Sequence, residues 1–248
     1  MFPSFYFHVW SNINKTSHDT LNDLQNMFFR VIFAVGKGYP IPAFYWESGS
    51  LLMRNRILQS QLLFLHHLEL LPVTSLASEV YNTQKRLKLP GLWDNSYSVL
   101  CDFGLTNIKS YYKNQWKRLI KNKIQERNSH ELLNMIKSYN KLSHDKLSNE
   151  VFKRKDYLRD LSLEDGRMMF KLNCEMCPGI KINFQNDKKF TDDLWSCITC
   201  NAIQSQNHLE YCIIYSDLRD NKDLTKDTDL VQYFREVITR QLASECIP

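Results

Sequence analysis

The sequence contains few residues that interrupt regular structure: only seven glycines and seven prolines occur among 248 residues. Leucine, lysine, asparagine and serine are abundant instead, which argues against a turn-rich β architecture. No low-complexity tract and no internal repeat is present. The composition therefore predicts long helical stretches and a mostly α fold.

Long apolar runs are also missing. The longest, LLFLHHLELL at 62–71, is far shorter than the roughly 20 residues that span a bilayer. The opening MFPSFYFHVW is apolar but has no basic n-region and no small-residue cleavage site. We therefore expect no membrane insertion, no secretion, and an intracellular location in the nucleus or cytoplasm. In such a reducing compartment the seven cysteines favour thiolates over disulfides.

The first stretch with helical periodicity begins at Thr16 or Ser17 and stops at Gly36. Its apolar residues recur at steps of three and four: Leu21, Leu24, Met27, Phe28, Val31 and Ile32. An apolar face of this width needs partner helices from the same chain. We therefore expect this face to be buried.

Two more helices are predicted in the first hundred residues. One is capped by Ser48 or Ser50 and ends before Pro72, and the other spans 75–87. The glycines and prolines of GKGYPIPAFYW, before the first of these two helices, predict a loop.

The expected organisation has three parts: a helical bundle at 1–105, a basic helix with a helical linker at 106–165, and a small C-terminal module at 166–248.

Three cysteines and one histidine lie close together in CITCNAIQSQNHLEYC, residues 197–212. Two residues separate Cys197 from Cys200, seven separate Cys200 from His208, and three separate His208 from Cys212. The first pair can chelate from a tight turn, and the last two ligands on one helical turn complete the tetrahedral set that structural Zn²⁺ prefers. Because four protein ligands leave no open position, we predict a structural zinc site rather than a catalytic one.

A second C-x2-C pair, Cys174 and Cys177, leaves an alternative open. Together with Cys197 and Cys200 it could form a zinc ribbon, and the absence of any metal is the third option. The compact set is favoured because it closes a shorter loop, at a smaller cost in chain entropy.

The segment FTDD at 190–193 has the letters of a polymerase turn that carries two metal-binding aspartates. Such aspartates need flanking hydrophobic strands and a third carboxylate, whereas NDKK precedes this segment and the cysteine cluster follows it. We therefore predict no catalytic role for it.

Positive charge is concentrated in IKSYYKNQWKRLIKNKIQER, residues 108–127, although the net charge of +5 is small. Four cations, Lys113, Lys117, Arg118 and Lys121, adjoin a predicted apolar face formed by Tyr112, Trp116, Leu119 and Ile120. Two interpretations remain open: a solvated surface helix, or a helix that contacts nucleic-acid phosphates.

Aromatic residues flank the cysteine cluster. Trp195, Tyr211 and Tyr215 could stack on unpaired bases or pack against the metal loop. Both interpretations remain open.

Several segments, taken in order, resemble the C-terminal part of reverse transcriptases from LINE-type (non-LTR) retrotransposons. The segments are NMFFRVIFAVGKGYPIPAFYWESGSLLMRNRILQSQLLFLHHL, LKLPGLWDN, TNIKSYYKNQWKRLIKNKI, GRMMFKLNCEMCPGIKINF and CITCNAIQSQNHLEYC, with YSDLR close behind. The resemblance extends over nearly the whole chain, and the Cys-Cys-His-Cys knuckle is its most specific part.

The resemblance implies that residues 1–105 are similar to the thumb that follows a polymerase palm. It also implies that the zinc knuckle, with the same four ligands, grips element RNA or target DNA. A palm with catalytic aspartates and an endonuclease motif are not found in the sequence. We therefore expect a fragment that binds RNA or DNA and has no polymerase activity of its own.

The alternative expectation is a zinc-stapled protein–protein interaction module. In that case the basic helix is only soluble surface, and the face around Trp116 docks a partner. The sequence predicts no particular oligomeric state.

Overall fold

The computed structural model describes residues 15–89, 91–138, 152–174, 197, 200, 206–220 and 222–245. Every regular element within these residues is helical, and they contain no β-strand. The prediction of a mostly α fold is therefore confirmed. In this part of the chain, no helix has both the length and the apolar character that crossing a bilayer requires.

The elements of the described residues follow one another as short and medium-length helices. They are α1 (Lys15–Phe33), α2 (Ile41–Ser48), α3 (Met53–Glu69), α4 (Leu76–Leu87), α5 (Leu92–Asp102), α6 (Lys113–Lys137), α7 (Tyr157–Asp160), α8 (Leu163–Asn173), α9 (Gln206–Tyr211), α10 (Ser216–Arg219) and α11 (Asp227–Glu245), with 3-10 turns at Ile108–Ser110 and Ile213–Tyr215.

Serine side chains start two of these helices. Ser75 Oγ accepts a hydrogen bond from the Ser78 N–H at 3.2 Å, and Ser162 Oγ accepts one from the Asp165 N–H at 3.2 Å. Each serine satisfies a backbone donor that has no partner inside the helix. Helix α4 accordingly begins one residue after Ser75 and ends at Leu87, within the predicted 75–87.

Helix α2 begins inside GKGYPIPAFYW, where the sequence predicts a loop, and ends two residues beyond this segment at Ser48. Pro42 lies in the first turn, where a missing N–H removes no helical hydrogen bond. The side chains that follow it, Ala43, Phe44, Tyr45 and Trp46, are all buried. The loop prediction is wrong because a proline at this position favours a helix start, and burial of three aromatic rings stabilises the helix. Helix α5 is likewise additional to the predicted elements.

Helix α1 buries a different face from the one that its periodicity selects. Four residues of the predicted face are exposed: Leu24 by 51%, Met27 by 57%, Phe28 by 49% and Val31 by 68%. Phe29 and Phe33 are buried instead, and both rings pack against other aromatic rings. The expectation of a buried Leu24 and Val31 face is wrong because apolar side chains occur on both sides of α1.

The chain divides into two compact units. Unit 1 comprises Met1–Met27 and Ser50–Leu132, and unit 2 comprises Phe28–Gly49 and Leu133–Pro248. Each unit thus combines two separate stretches of sequence. The three-part organisation expected from the sequence stays a prediction.

Unit 1 has an apolar core to which α3, α5 and α6 contribute. Its fully buried aliphatic side chains include Leu62, Leu65, Leu100, Ile120 and Ile124. Trp116 of α6 is also buried, and its indole Nε1 donates a hydrogen bond to the Leu62 carbonyl at 3.0 Å. His66 stacks on this indole, with ring centroids 5.2 Å apart.

The buried position of Trp116 tests the expectation that the face around this residue docks a partner protein. Trp116 and Ile120 of the predicted apolar face are buried, whereas Tyr112 precedes α6 and is 84% exposed. The proposal that the Trp116 face docks a partner protein is therefore wrong, because unit 1 itself covers this face.

A buried carboxylate at the end of α3 is held by three donors. Glu69 accepts hydrogen bonds from the Tyr81 hydroxyl at 2.6 Å and from Lys85 Nζ at 2.8 Å, and Lys109 Nζ lies 3.5 Å away. Burial alone would raise the pKa of Glu69, but the hydrogen bonds from Lys85 and Tyr81 and the two ammonium charges lower it below its usual value. The network connects α3, α4 and the turn at 108–110 within unit 1.

Unit 2 contains a stack of three phenylalanine rings. The Phe170 ring of α8 lies 4.1 Å from the Phe33 ring and 5.5 Å from the Phe44 ring, measured between centroids. Helix α8 is also linked to α11, because Arg235 Nη2 lies 2.8 Å from Asp165 Oδ1. These contacts give unit 2 a core formed by residues that are far apart in sequence.

Candidate metal centre

The last two predicted ligands are placed by α9 and the residue that follows it. The Cys212 N–H donates a hydrogen bond to the His208 carbonyl at 2.8 Å, so the two residues lie one helical turn apart. Residues four apart on a helix share a face. The three-residue spacing therefore puts the imidazole and the thiol on the same side of the chain.

The structure brings Cys197, Cys200, His208 and Cys212 together, with all four ligand atoms within 4.8 Å of one another. Cys197 Sγ lies 3.6 Å from Cys212 Sγ, and Cys200 Sγ lies 3.6 Å from His208 Nε2. The edges of a tetrahedron around zinc measure roughly 3.5–3.8 Å for ordinary Zn–S and Zn–N bonds. The four residues could therefore hold a metal ion in a tetrahedral site.

The two halves of this site differ in burial. Cys197 and Cys212 are each 4% exposed, whereas Cys200 is exposed and His208 is half-buried. Four protein ligands fill a tetrahedral coordination shell completely. The arrangement suits an ion that holds the chain together, since no coordination position is left for a reacting water.

Electrostatics make the cluster sensitive to the presence of a cation. Burial raises the pKa of the Cys212 thiol, a hydrogen bond from the Ile214 backbone lowers it, and the neighbouring Cys197 and Cys200 sulfurs raise it further. Three thiolates this close repel one another strongly unless a cation lies between them. Metal binding would therefore release protons, and metal affinity would fall as the pH falls.

Two side chains fix the backbone around the helical half of the site. Arg219 Nη1 donates a hydrogen bond to the Cys212 carbonyl at 2.7 Å. The buried Tyr233 of α11 donates its hydroxyl to the Leu209 carbonyl. Both ends of the turn that carries Cys212 are thus tied to neighbouring side chains.

A third side chain, Arg240 of α11, holds the turn after Cys212. It donates to the Ile214 carbonyl at 3.1 Å and pairs with both carboxylate oxygens of Asp217, at 2.9 and 2.6 Å. Sequence reasoning does not identify Arg219, Tyr233 or Arg240. The segment YSDLR contains Asp217 and Arg219, and it contributes only to the resemblance to non-LTR reverse transcriptases. It is the one sequence signal close to these supporting residues.

The competing four-cysteine set does not come together among the described residues. Cys174 follows α8 and is 2% exposed, but it is not a member of the cluster around Cys212. It lies near Tyr157, whose pKa is raised by burial and by the nearby Glu47. Cys177 lies outside the described residues.

The four cations predicted to contact phosphates are exposed on the first turns of α6. We call Lys113, Lys117, Arg118 and Lys121 the basic strip. None of the four forms an ion pair with a residue that the structure describes, whereas Lys123 on the same helix pairs with Glu126 at 3.3 Å. Trp116 and Ile120 of the same helix are buried in the core of unit 1, whereas the side chains of the strip reach solvent.

The aromatic residues beside the metal site have different environments. Tyr211 is 79% exposed immediately before Cys212, whereas Tyr215 is buried and packs within unit 2. Trp195 and the FTDD segment lie outside the described residues. Of the two aromatic candidates that the structure describes, Tyr211 is the exposed one.

Comparison with known proteins does not identify a family. No protein-family model, curated protein or solved structure matches the chain. The likeness to non-LTR reverse transcriptases therefore depends on the sequence segments quoted above. The structure itself shows a helical fold and a Cys3His cluster that could bind a metal ion, and the resemblance to this family stays a prediction.

Proposed function

We propose that this chain is a zinc-stabilised nucleic-acid-binding protein, related to the C-terminal part of non-LTR retrotransposon reverse transcriptases. The observation that carries the proposal is the basic strip, whose four exposed cations have no ion pair with any described residue. Lys113 and Lys121 are eight residues apart on one helix, which is about 12 Å. Unpaired cations over this distance can replace the counterions of successive phosphates.

The ion proposed for the Cys3His cluster is Zn²⁺. Thiolates and imidazoles together select this ion, and the observed separations suit a tetrahedron. In this proposal the zinc joins Cys197 and Cys200 to the end of α9. Tyr211 is then held in solvent next to a rigid site.

The proposed nucleic acid is single-stranded, or has unpaired bases. An exposed tyrosine ring can stack on an unpaired base, which is worth about 1–3 kcal/mol. Tyr211 offers such a ring. Trp195 is proposed as a second stacking residue on the evidence of the sequence alone.

The proposal is tested by binding of a labelled single-stranded RNA to the full chain at increasing salt. We expect the affinity to fall steeply, because binding releases counterions. Replacing Lys117 and Lys121 together by glutamine should reduce the slope of log affinity against log salt by about 1.4, which is about 0.7 for each lost phosphate contact. Zinc content and circular dichroism should not change.

Lys123→Gln is the matched control on the same helix. Its ammonium group is already paired with Glu126, so its replacement should change the salt slope much less. Binding that does not depend on salt, or an unchanged slope in the double variant, would contradict the proposal.

A zinc-stapled protein–protein interaction module is the second candidate. It is favoured by exposed apolar side chains beside the metal site: Tyr211 by 79%, Ile213 by 72% and Ile214 by 41%. Apolar residues clustered on a surface are typical of interaction sites. RNA binding that survives loss of the basic strip, together with a protein partner that is lost on Ile213→Ser, would favour this candidate.

We also propose that the chain has no polymerase activity by itself. The FTDD segment has no flanking apolar strand pattern in the sequence, and a two-metal site needs further carboxylates. Primer extension with the full chain on an RNA template should therefore give no product above background. Extension that depends on Asp192 or Asp193 would contradict this.

A further inference from the structure

Unit 2 contains a cavity of about 280 Å³ that the functions above do not use. Its apolar wall is formed by Phe29, Ile32, Phe33, Leu158, Leu161 and Leu163. All of these residues belong to unit 2. The volume lies near the lower limit of small-molecule pockets, which suits a ligand of about ten to fifteen heavy atoms at most.

The charged residues among those that line the cavity are both arginines, Arg154 and Arg167. No aspartate or glutamate is among the described residues that line it. An uncompensated positive charge beside an apolar wall favours an anionic ligand with an apolar body.

The two arginines differ in how much of the guanidinium group is already used. Arg167 donates from Nε to the Ile32 carbonyl at 2.7 Å and from Nη2 to the Val31 carbonyl at 3.4 Å. It therefore caps the C-terminal carbonyls of α1. Arg154 donates from Nη2 to the Leu158 carbonyl at 2.8 Å and is otherwise exposed. A guanidinium has five N–H donors. Arg154 therefore has donors left for a ligand.

The two serine hydroxyl groups at the wall are engaged within the protein, whereas the buried Tyr157 hydroxyl has no hydrogen-bond partner among the described residues. Ser162 Oγ donates to Asp165 Oδ2 at 2.7 Å and accepts from the Asp165 N–H, and Ser48 Oγ lies 3.5 Å from the Tyr45 carbonyl. Apart from Tyr157 and the arginines the wall is apolar or already hydrogen-bonded, so a ligand with several polar edges, such as a nucleobase, would leave most of those edges unsatisfied, at a cost in binding. One anionic group on an otherwise apolar ligand avoids that cost.

We propose that this cavity binds a small amphipathic carboxylate, with an aliphatic body of medium length against Leu158 and Leu161 and its carboxylate paired with Arg154. This goes beyond the proposed nucleic-acid binding and does not depend on it. The cavity and the basic strip belong to different units, so the two functions can be tested separately in the same full chain.

Gly166 of α8 makes a direct test of the location possible. It lines the cavity, and a Cβ placed there would meet only the Tyr157 carbonyl, at 4.0 Å. Gly166→Leu should therefore fill the cavity, and it should not weaken α8 because leucine favours helix more than glycine does. Gly166→Ala is the matched control, since a single methyl group leaves most of the space open.

The probe is octanoate, titrated into the zinc-loaded full chain and followed by calorimetry. We expect saturable binding to wild type and to Gly166→Ala, and no binding to Gly166→Leu. Nuclear Overhauser effects between octanoate and the methyl groups of Leu158 and Leu161 should appear in wild type. No binding up to about 5 mM, a range that would detect affinities as weak as about −3 kcal/mol, overturns the proposal. Binding without those Overhauser effects also overturns it.

Arg154→Gln tests the charge. It should weaken octanoate binding roughly tenfold, because a charge-assisted hydrogen bond is lost. Arg159→Gln is the control, since Arg159 lies on α7 and pairs with Asp160 rather than lining the cavity. Octan-1-ol that binds as tightly as octanoate, or uridine monophosphate that binds in its place, would overturn the carboxylate assignment.

Discussion

At the residue scale, Gly49 shows how closely two segments of unit 2 approach each other. Its φ of 62° lies in the left-handed region, and a Cβ at this position would lie 2.3 Å from the Arg154 backbone nitrogen. The neighbour is backbone, so it cannot turn away as a flexible side chain would. Glycine is required here both for its conformation and for the space it leaves.

Gly49→Ala and Gly104→Ala separate these two requirements. Gly104 has a φ of 69°, and no atom lies within 4 Å of the place that a Cβ would take, so its replacement should cost only the conformational strain of about 1–2 kcal/mol. Gly49→Ala adds a backbone clash and should cost roughly 3 kcal/mol or more. Urea denaturation of both variants measures the difference. Equal losses would mean that the approach to Arg154 relaxes freely.

Replacing single cysteines tests which thiols hold the ion. Cys212→Ser should lose the proposed zinc ion and the fold of the helices around it, because metal binding also supplies folding energy, about 10–16 kcal/mol in zinc-finger peptides. Cys174→Ser should keep a full complement of zinc, since Cys174 is not part of the cluster. Zinc content by atomic absorption decides this. Equal loss in both variants would favour the ribbon of four cysteines.

At the element scale, the network around Glu69 makes the packing of α3 against α4 depend on pH. Because its pKa in the folded protein is below the usual value of 4.5, the ionised carboxylate stabilises the fold. This stabilisation is fully present above the unfolded pKa and is lost as the pH falls through the folded pKa.

Glu69→Gln is therefore expected to lower the free energy of unfolding by about 2 kcal/mol at pH 6, where the carboxylate accepts charged hydrogen bonds. The difference from wild type should shrink as the pH falls below about 4. Urea midpoints of both proteins across this range are the measurement. Loss of the proposed zinc ion in acid would affect both proteins equally, and a difference that stays constant down to pH 3 would contradict the role of the charge.

The helices differ in how well the sequence predicts them. Helix α4 has a serine cap followed by clear periodicity, and both ends are predicted to within one residue. Helix α2 is missed because local rules treat proline as a breaker, whereas burial of Phe44, Tyr45 and Trp46 decides the outcome. The exposed face of α1 is missed for a related reason: periodicity detects an amphipathic helix, but tertiary contacts choose which side is buried.

The candidate site is predicted in part as well. Ligand spacing alone selects the four residues whose ligand atoms meet, because that spacing follows from tetrahedral geometry and one helical turn. Tyr233 and Arg240 come from α11, more than twenty residues beyond the cluster, and no local pattern links them to it. Such supporting residues become visible only when the packing of the chain is known.

At the scale of the whole molecule, the proposed zinc ion and the apolar core of unit 1 should make separate contributions to stability. Removing the ion from the full chain with a strong chelator should abolish amide protection in α9, in the turn after it and in α10. In this region Arg219 and Arg240 donate hydrogen bonds to the backbone carbonyls of Cys212 and Ile214. The amides of α3 and α6 around Trp116 should remain protected. Hydrogen exchange followed by mass spectrometry measures both regions. Loss of protection in α3 and α6 to the same degree would contradict this.

The discontinuity of the two units limits how this chain can be divided. Unit 2 takes Phe33 and Phe44 from the first fifty residues and Phe170 from the second half, so a single cut anywhere between them separates rings that stack on one another. Neither half expressed alone would carry a complete unit 2. Recombination or gene splitting in this region should therefore yield insoluble products, whereas two halves produced together could reassemble.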